Sequence, residues 1–364
     1  MLLKTHEREN AHHQKGGTFQ GPRFEVPTKG QPKHAPRELR RVAICYSRDL
    51  NTQTFSLVSR DGLSWLESAQ LASLPWLVHA FSTREGGVSR PPCAGLNLGF
   101  TASDQRERVE QNRRRFLEAL GGGDFTAASA RQVHSSHSFV VTSNGAGRLD
   151  FRPPGIESTS SAPTEAPAGD GLITAEAGVL LTIRIADCLP VLLVDPRQRV
   201  VAAVHAGWRG AQARVIEKAV GDMRQAFGSD PQTLLAALGP CIRACCYEVG
   251  EDVVEAFHAS FRDADRFFRT LPNRPQAATE RHSILFLSAY PPGHAPEHVP
   301  AARLDLIAVA RHQLASAGVD PEKVFDADYC TACRTDLFFS HRREGGATGR
   351  QVAAIGIRKA VAGG

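Results

Sequence analysis

The stretch that decides the fold is GVLLTIRIADCLPVLLVDPRQRVVAAVHAGWRGAQARVIEKAVGDMRQAF, residues 178–227. It holds three apolar runs, GVLLTIRIADC, LPVLLVDP and RVVAAVHAGW, rich in Val, Ile and Leu and separated by Asp-Pro and polar turn residues. Runs of that length and composition predict strands. Their nearly unbroken apolarity implies that both faces are covered. GAQARVIEKAVGDMRQAF (210–227) then has the spacing of an amphipathic helix.

Working outward, RVAICYSRD and TFSLVSRDGLSW read as strands, the second turning at Asp61-Gly62. WLVHAFSTREGGVS starts as a strand and runs into a Gly-rich turn. Residues 103–120 predict a helix with Ser103 as N-cap and Gly121 as its stop. ASARQVHSSHSFVVTS predicts a strand around His134 and another at 138–142. LLAALGP reads as a buried strand, 250–269 as helical, and 304–317 as a helix stopped by Gly318. FFSHRREG and QVAAIGIRKA read as paired strands. The expected fold class is α/β (α+β): a sandwich of mixed β-sheets flanked by helices, in one domain over 42–364. Two polar loops, near 152–169 and 272–300, read as insertions in that domain and not as boundaries.

Residues 1–41 are polar, aperiodic and rich in Gly, Pro, Lys and Arg, and are expected to be a disordered basic tail. They carry nine Lys/Arg and four Glu. The remaining 34 basic and 34 acidic residues balance, so the net charge of +5 belongs to the tail. A basic nucleic-acid face is not supported, and no obligate protein partner is implied. No run approaches the ~20 apolar residues that span a bilayer. MLLKTHEREN lacks the apolar core of a signal peptide, so a cytoplasmic protein is expected.

Eight cysteines in 364 residues do not make a disulfide framework. In a reducing compartment they read as metal ligands, nucleophiles or small core residues. QVHSSH, ADCLPV and VHAGWRG place His134, Cys188 and His205 at or near strand ends. Two imidazoles and a thiolate suit zinc, and three protein ligands leave a fourth position for water. Spacing alone is weak support, because a lone His or Cys is more often a packed residue. His137 is an alternate ligand or a second hydrogen-bonding imidazole. Cys241, Cys245 and Cys246 offer a further ligand group. Cys330 and Cys333 form a C-x-x-C, but a zinc ribbon is disfavoured without a second such pair or paired histidines nearby.

FSTREGGVS (81–89), LNLGF (96–100), QVH (132–134), GDGLIT (169–174), TIRIADCLPVLLVDP (182–196), VVAAVHAGWRGA (200–211), LGPCIRACCYEVG (238–250) and CTACRTDLFFSHRREGGATGRQVAAIGI (330–357) together resemble the YfiH/YlmD family. These are the FAMIN-like laccase-domain proteins, formerly called multicopper polyphenol oxidases. The motifs fall in the family's order across about 79–357, most of the chain; the tail and the two loops lie outside. The resemblance implies an α/β sandwich and zinc ligands at His134, Cys188 and His205. It also implies phosphorolysis of adenosine, guanosine, inosine and methylthioadenosine to base and ribose 1-phosphate, with adenosine deamination beside it.

That chemistry needs a cationic cradle for phosphate, for which arginine forks are suited. Arg84 in TREGG, Arg209 in GWRG, and Arg342 beside Arg343 in SHRREGG are the candidates, each equally readable as a solvated loop residue. Arg84 is favoured because the neighbouring glycines let backbone N–H groups approach an anion. Asn97 is a candidate for a ribose hydroxyl or the base, or for a turn cap. Deamination needs an activated water and a proton shuttle, for which Asp170, Asp187 and Glu85 are candidates. Asp187 reads more readily as a turn-capping carboxylate, since neighbours in extended chain point to opposite faces. There is no H-x-E, which excludes the cytidine-deaminase arrangement.

Three alternatives use other chemistry. A cysteine hydrolase would take Cys188 as nucleophile and His205 or His134 as base, and the sequence does not separate it from a zinc enzyme. A copper polyphenol oxidase would want many clustered ligands, and the 14 histidines include no H-x-H pair. A binding module acting through the basic tail would make function depend on residues 1–41, which the catalytic reading does not.

Overall fold

In the computed structural model the described residues are 54–122, 125–143, 147–156, 166–270 and 301–359, all within the unit Val42–Gly364. The tail, the strand expected at RVAICYSRD, the second loop and the middle of the first lie outside them.

The three runs of the opening stretch are strands: Val179–Ile185, Leu189–Asp195 and Val200–Ala206. The first belongs to a six-stranded sheet in the order Phe55–Arg60, Leu63–Ser68, Leu77–Ser82, Gln351–Ile357, Val179–Ile185, Thr126–Ala128. The other two are neighbours in a seven-stranded sheet, ordered Val324–Asp326, Leu235–Leu238, Leu189–Asp195, Val200–Ala206, Gly171–Thr174, Ser138–Ser143, Leu149–Arg152. Both sheets are mixed, with most pairs antiparallel. A small three-stranded sheet joins Glu248–Val249, Ala302–Leu304 and Phe268–Arg269. The described residues thus form the expected mixed α/β sandwich.

The period of two explains why both central strands are apolar throughout. Leu192, Val194, Val201 and Ala203 pack with Phe81, Leu181, Ile183 and Ile355 between the two sheets. Their neighbours Val191, Leu193, Ala202 and Val204 point the other way, onto the helices Val215–Phe227 and Leu306–Ser316. A third cluster lies under the helix Arg106–Ala119, on the outer face of the six-stranded sheet. Each face of each large sheet is covered, as continuous apolar strands require.

Several local expectations need correction. The helix read over 103–120 begins at Arg106, after Gln105 and not Ser103. Asp104 just before it is occupied elsewhere: Oδ2 accepts from Ser89 Oγ (2.6 Å) and Asn97 Nδ2 (2.7 Å). The helix read over 210–227 is two, Trp208–Gln212 and Val215–Phe227, broken where Arg214 takes φ 63°. Arg214 is held there by bonds to Glu217 (2.8 Å) and the Ser260 carbonyl (3.0 Å). Residues 250–269 hold the helix Glu251–Ser260, then a 3-10 turn and the short strand Phe268–Arg269. FFSHRREG is not a strand but a series of turns. The Glu344 carboxylate gathers Ser340 N, Thr348 Oγ1 and the Arg84 guanidinium, and Gln351–Ile357 pairs instead with Leu77–Ser82 and Val179–Ile185. No strand forms around His134, which sits in a left-handed turn at φ 59°. No helix among the described residues is long and apolar enough to cross a membrane.

The hairpin at Asp61-Gly62 forms as read, with φ 53° and 74° as a type I′ turn needs. It joins Phe55–Arg60 to Leu63–Ser68, which pairs on its other edge with Leu77–Ser82, where His79 is buried and its Nε2 accepts from Ser68 N at 2.9 Å. Burial lowers the His79 pKa from 6.5 to about 4. The native imidazole therefore stays neutral down to about pH 4, whereas the unfolded chain takes up its proton near 6.5. The group's depressed native pKa makes stability fall as pH drops through that window, by roughly 3 kcal/mol in all. Chemical denaturation of wild type and His79→Gln at pH 7 and pH 4.5 tests this: the stability gap between them should narrow by about 2–3 kcal/mol at the lower pH. Parallel losses would remove His79 as the proton-linked group.

Candidate metal centre

Two segments cross from one large sheet to the other at the same end of the sandwich. Ala186–Asp187–Cys188 leaves Val179–Ile185 and enters Leu189–Asp195; residues 129–137 leave Thr126–Ala128 and enter Ser138–Ser143. Cys188 and His134 lie on these crossings. His205 lies on the strand Val200–Ala206, opposite Pro190 in the register with Leu189–Asp195. The Nδ1 or Nε2, Sγ and Nδ1 or Nε2 atoms of His134, Cys188 and His205 all come within 4.8 Å of one another.

One carboxylate sets two of these three residues. Asp170, buried beside Gly171–Thr174, accepts from His205 Nδ1 at 2.8 Å, which leaves His205 Nε2 as the free donor atom. The same carboxylate accepts the backbone N–H groups of Val133 (3.3 Å), His134 (3.1 Å) and Ser135 (2.6 Å), and the Ser135 hydroxyl (2.8 Å). These bonds hold the left-handed turn at His134, a conformation costly for a non-glycine residue. Burial works against ionisation of Asp170, but the His205 and Ser135 hydrogen bonds outweigh it and bring its pKa to about 2. Burial likewise opposes charge on Cys188 and His205. Each overcomes it through the other: the Cys188 thiol is pulled down by His205 and His134, and the His205 imidazole is pushed up by Cys188 and Asp170. Cys188 and His205 thus share a proton between them, which a metal ion would displace on binding.

The donors fit a zinc ion. Tetrahedral N and S ligands stand roughly 3.3–3.8 Å apart, and Cys188 Sγ is 3.8 Å from His134 Nε2. Gly207, at the start of the helix Trp208–Gln212, leaves room for the cluster. A Cβ there would lie 2.6 Å from His134 Cδ2 and 3.0 Å from Cys188 Sγ. His134 is exposed and His205 buried, so the cluster opens toward solvent on the His134 side.

The other site residues read from the sequence are distributed unevenly. Asp187, at φ 91°, is a turn residue: its carboxylate accepts from Thr331 Oγ1 (2.6 Å) and Arg342 N (2.7 Å), and its carbonyl from Ile242 N (2.8 Å). Asp170 lies behind His205 with both oxygens occupied, so it positions ligands and has no lone pair left to shuttle protons. Arg84 is engaged by the Thr335 carbonyl (2.8 Å), Glu344 (3.0 Å) and the Phe339 ring (4.5 Å), not held out toward an anion. Asn97 is fully buried; it bonds Asp104 and accepts from Gly99 N and Arg350 N. These contacts make Arg84 and Asn97 parts of the framework. Arg209 is exposed against Trp208, and Arg342 stacks on Tyr247 at 5.3 Å.

Tyr247 is a residue that sequence reasoning missed. Burial, then the nearby Cys188 charge, raise its phenol well above the ordinary range, while Arg342 and Arg209 pull the other way. Cys188, Arg342 and Arg209 are thus all close enough to act on the Tyr247 phenol. The CCYEVG motif held the clue, since an aromatic directly after a cysteine pair can reach what the cysteines flank.

The sequence profile of the family described as "Multi-copper polyphenol oxidoreductase laccase" matches residues 78–358. Purine nucleoside phosphorylase YlmD of Geobacillus stearothermophilus is 34% identical over 284 residues, 78% of this chain and 90% of that protein. Adenosine deaminase RL5, from an unknown prokaryotic organism, is 32% identical over 293 residues, 80% of this chain and 98% of that protein. The crystal structure of the Bacillus licheniformis hypothetical protein YfiH superposes with a TM-score of 0.66 at 27% identity, covering 84% of this chain and all of that one.

Asp170→Asn keeps the side chain's shape and removes its charge. Loss of such an outer partner typically costs ~10–100-fold in metal affinity. Competition with a calibrated chelator should show a drop of that size for the variant; unchanged affinity would mean that Asp170 does not set the ligands.

Proposed function

Because the chain belongs to the laccase-domain family of YfiH- and YlmD-like proteins, we propose that it is a zinc-dependent purine nucleoside phosphorylase with adenosine deaminase activity. Its substrates are adenosine, guanosine, inosine or methylthioadenosine together with phosphate. The observation that carries this reading is the convergence of two imidazoles and one thiolate beside a solvent-facing side, the layout of a catalytic and not a closed structural zinc site. His134, Cys188 and His205 would hold the zinc, which would supply Lewis acidity and an acidified water when bound.

The remaining work falls to this chain's own side chains. Asp170 keeps His205 in one tautomer and His134 in its turn. Arg209 and Arg342 both act on Tyr247, as Cys188 does, and are the phosphate cradle of this proposal; a guanidinium fork grips two phosphate oxygens at once. Arg342 is pre-set by its bond to the Glu248 carbonyl (2.6 Å) and by Tyr247 below it. Tyr247 offers a ring for the purine or ribose to lie against, and a phenol kept protonated as a donor. In phosphorolysis a phosphate oxygen bonds C1′ as the C1′–N9 bond breaks, and the base leaves with its electron pair. Deamination replaces the adenine amino group by water oxygen and releases ammonia. The hydrolase reading with Cys188 as nucleophile uses the same thiolate, and copper in place of zinc uses the same ligands. Metal identity and products separate both from this reading.

Metal-replete protein given adenosine and phosphate should release adenine and ribose 1-phosphate, with inosine as a second product. Cys188→Ala should lose metal and turnover together. Arg342→Ala should raise the KM for phosphate by about 10–100-fold, the loss of one charge-assisted contact. Neither free base nor inosine from wild type, or turnover that survives full loss of metal, would end the proposal.

A further inference from the structure

Four cysteines form a second cluster, apart from the site described above. The loop CIRACCY (241–247) and the turn CTAC (330–333) run side by side, joined by a parallel bridge between Cys241 and Cys330. Cys241 N donates to the Tyr329 carbonyl (3.3 Å) and Thr331 N to the Cys241 carbonyl (3.0 Å). Arg243 locks the pair from outside with a two-pronged grip on Asp326 at 2.9 and 3.0 Å. Cys241 itself is fully buried in the helix-side core and takes no part as a ligand. The sulfurs of Cys245, Cys246, Cys330 and Cys333 all lie within 4.8 Å of one another.

The spacing of those sulfurs is informative. Cys333 Sγ is 3.3 Å from Cys246 Sγ and 3.7 Å from Cys245 Sγ. A disulfide would bring two of them to ~2.05 Å. Four thiolates around one zinc at ~2.3 Å stand about 3.8 Å apart, close to the 3.7 Å between Cys245 and Cys333 and within the 4.8 Å that bounds the cluster. The backbone is arranged as such a site needs. The C-x-x-C turn closes with Cys333 N and Arg334 N both donating to the Cys330 carbonyl (3.2 and 3.0 Å), which folds its two sulfurs to one side. Arg243 N points at Cys330 Sγ from 3.5 Å, an N–H group aimed at sulfur from the opposite loop. Cys330 is buried and the other three are half-buried, so four polarisable donors face one another at the edge of the core.

We propose that Cys245, Cys246, Cys330 and Cys333 hold a second zinc ion, closed on all four sides by thiolates and structural in role. Four soft sulfur ligands in tetrahedral reach select zinc and leave no corner for substrate. Its place gives it a task. Ile242, beside Cys241, donates to the Asp187 carbonyl, and Thr331, inside the C-x-x-C, donates to the Asp187 carboxylate. Both loops thus grip the residue before Cys188, and Tyr247 follows Cys246 directly. The ion fixes the two loops that carry this rim. The inference is independent of the phosphorylase reading and of which substrate is turned over.

Elemental analysis of the full chain, purified under reducing conditions without added metal, tests it. About two zinc ions per chain are expected for wild type, and about one for Cys188→Ala and for the double variant Cys330→Ser/Cys333→Ser. Should the double variant not fold, cobalt exchanged into Cys188→Ala decides: intense sulfur-to-cobalt charge-transfer bands of a four-thiolate tetrahedron are expected. One zinc in wild type that vanishes entirely in Cys188→Ala would overturn the proposal. So would iron in place of zinc, or a chain mass about two daltons low, which reports a disulfide.

Discussion

The candidate metal centre depends on the Asp170 carboxylate. Its five hydrogen bonds reach His205, on the strand Val200–Ala206, and the Val133–Ser135 turn, on a sheet-crossing segment. A buried carboxylate is costly unless every lone pair is used, and here the satisfying donors are the parts of the site that need fixing. Burial makes each bond stronger and its loss more expensive. The tautomer of one imidazole and the strained backbone of the other are consequently set by one group.

The central strands beside the candidate site were plain in the sequence, because a strand covered on both faces is apolar nearly throughout, and 189–195 and 200–206 are. That His134, Cys188 and His205 come together was also legible, though only through motif resemblance; spacing alone does not bring together residues from three separated segments. The His134 backbone was misread as strand because its conformation answers to Asp170, a partner 36 residues away. Propensity acts locally and does not register such a contact. Arg214 is the same lesson: a run of good helix formers is broken by contacts to Ser260 on another element.

The arginines divide for a physical reason that composition conceals. Arg84 sits in a glycine-rich turn, which suggested anion binding, yet Glu344 arrives from 260 residues away and neutralises it. Arg342 seemed no different in sequence, but its backbone is tied to Asp187 and its side chain to Tyr247. The cysteines were underread in the same way. C-x-x-C was weighed as an isolated half-site, and its other half proved to be an adjacent pair on a loop more than 80 residues earlier.

The two sheet-crossing segments bear on how the molecule is made. Cys188 and His134 are 54 residues apart and meet only once both layers have stacked. An ion cannot gather those ligands from an open chain without bearing the full entropy of closing long loops. The stacked sheets, and not the local chain, therefore set the spacing of these donors: any change that shifts one layer against the other alters the separation of Cys188 from His134.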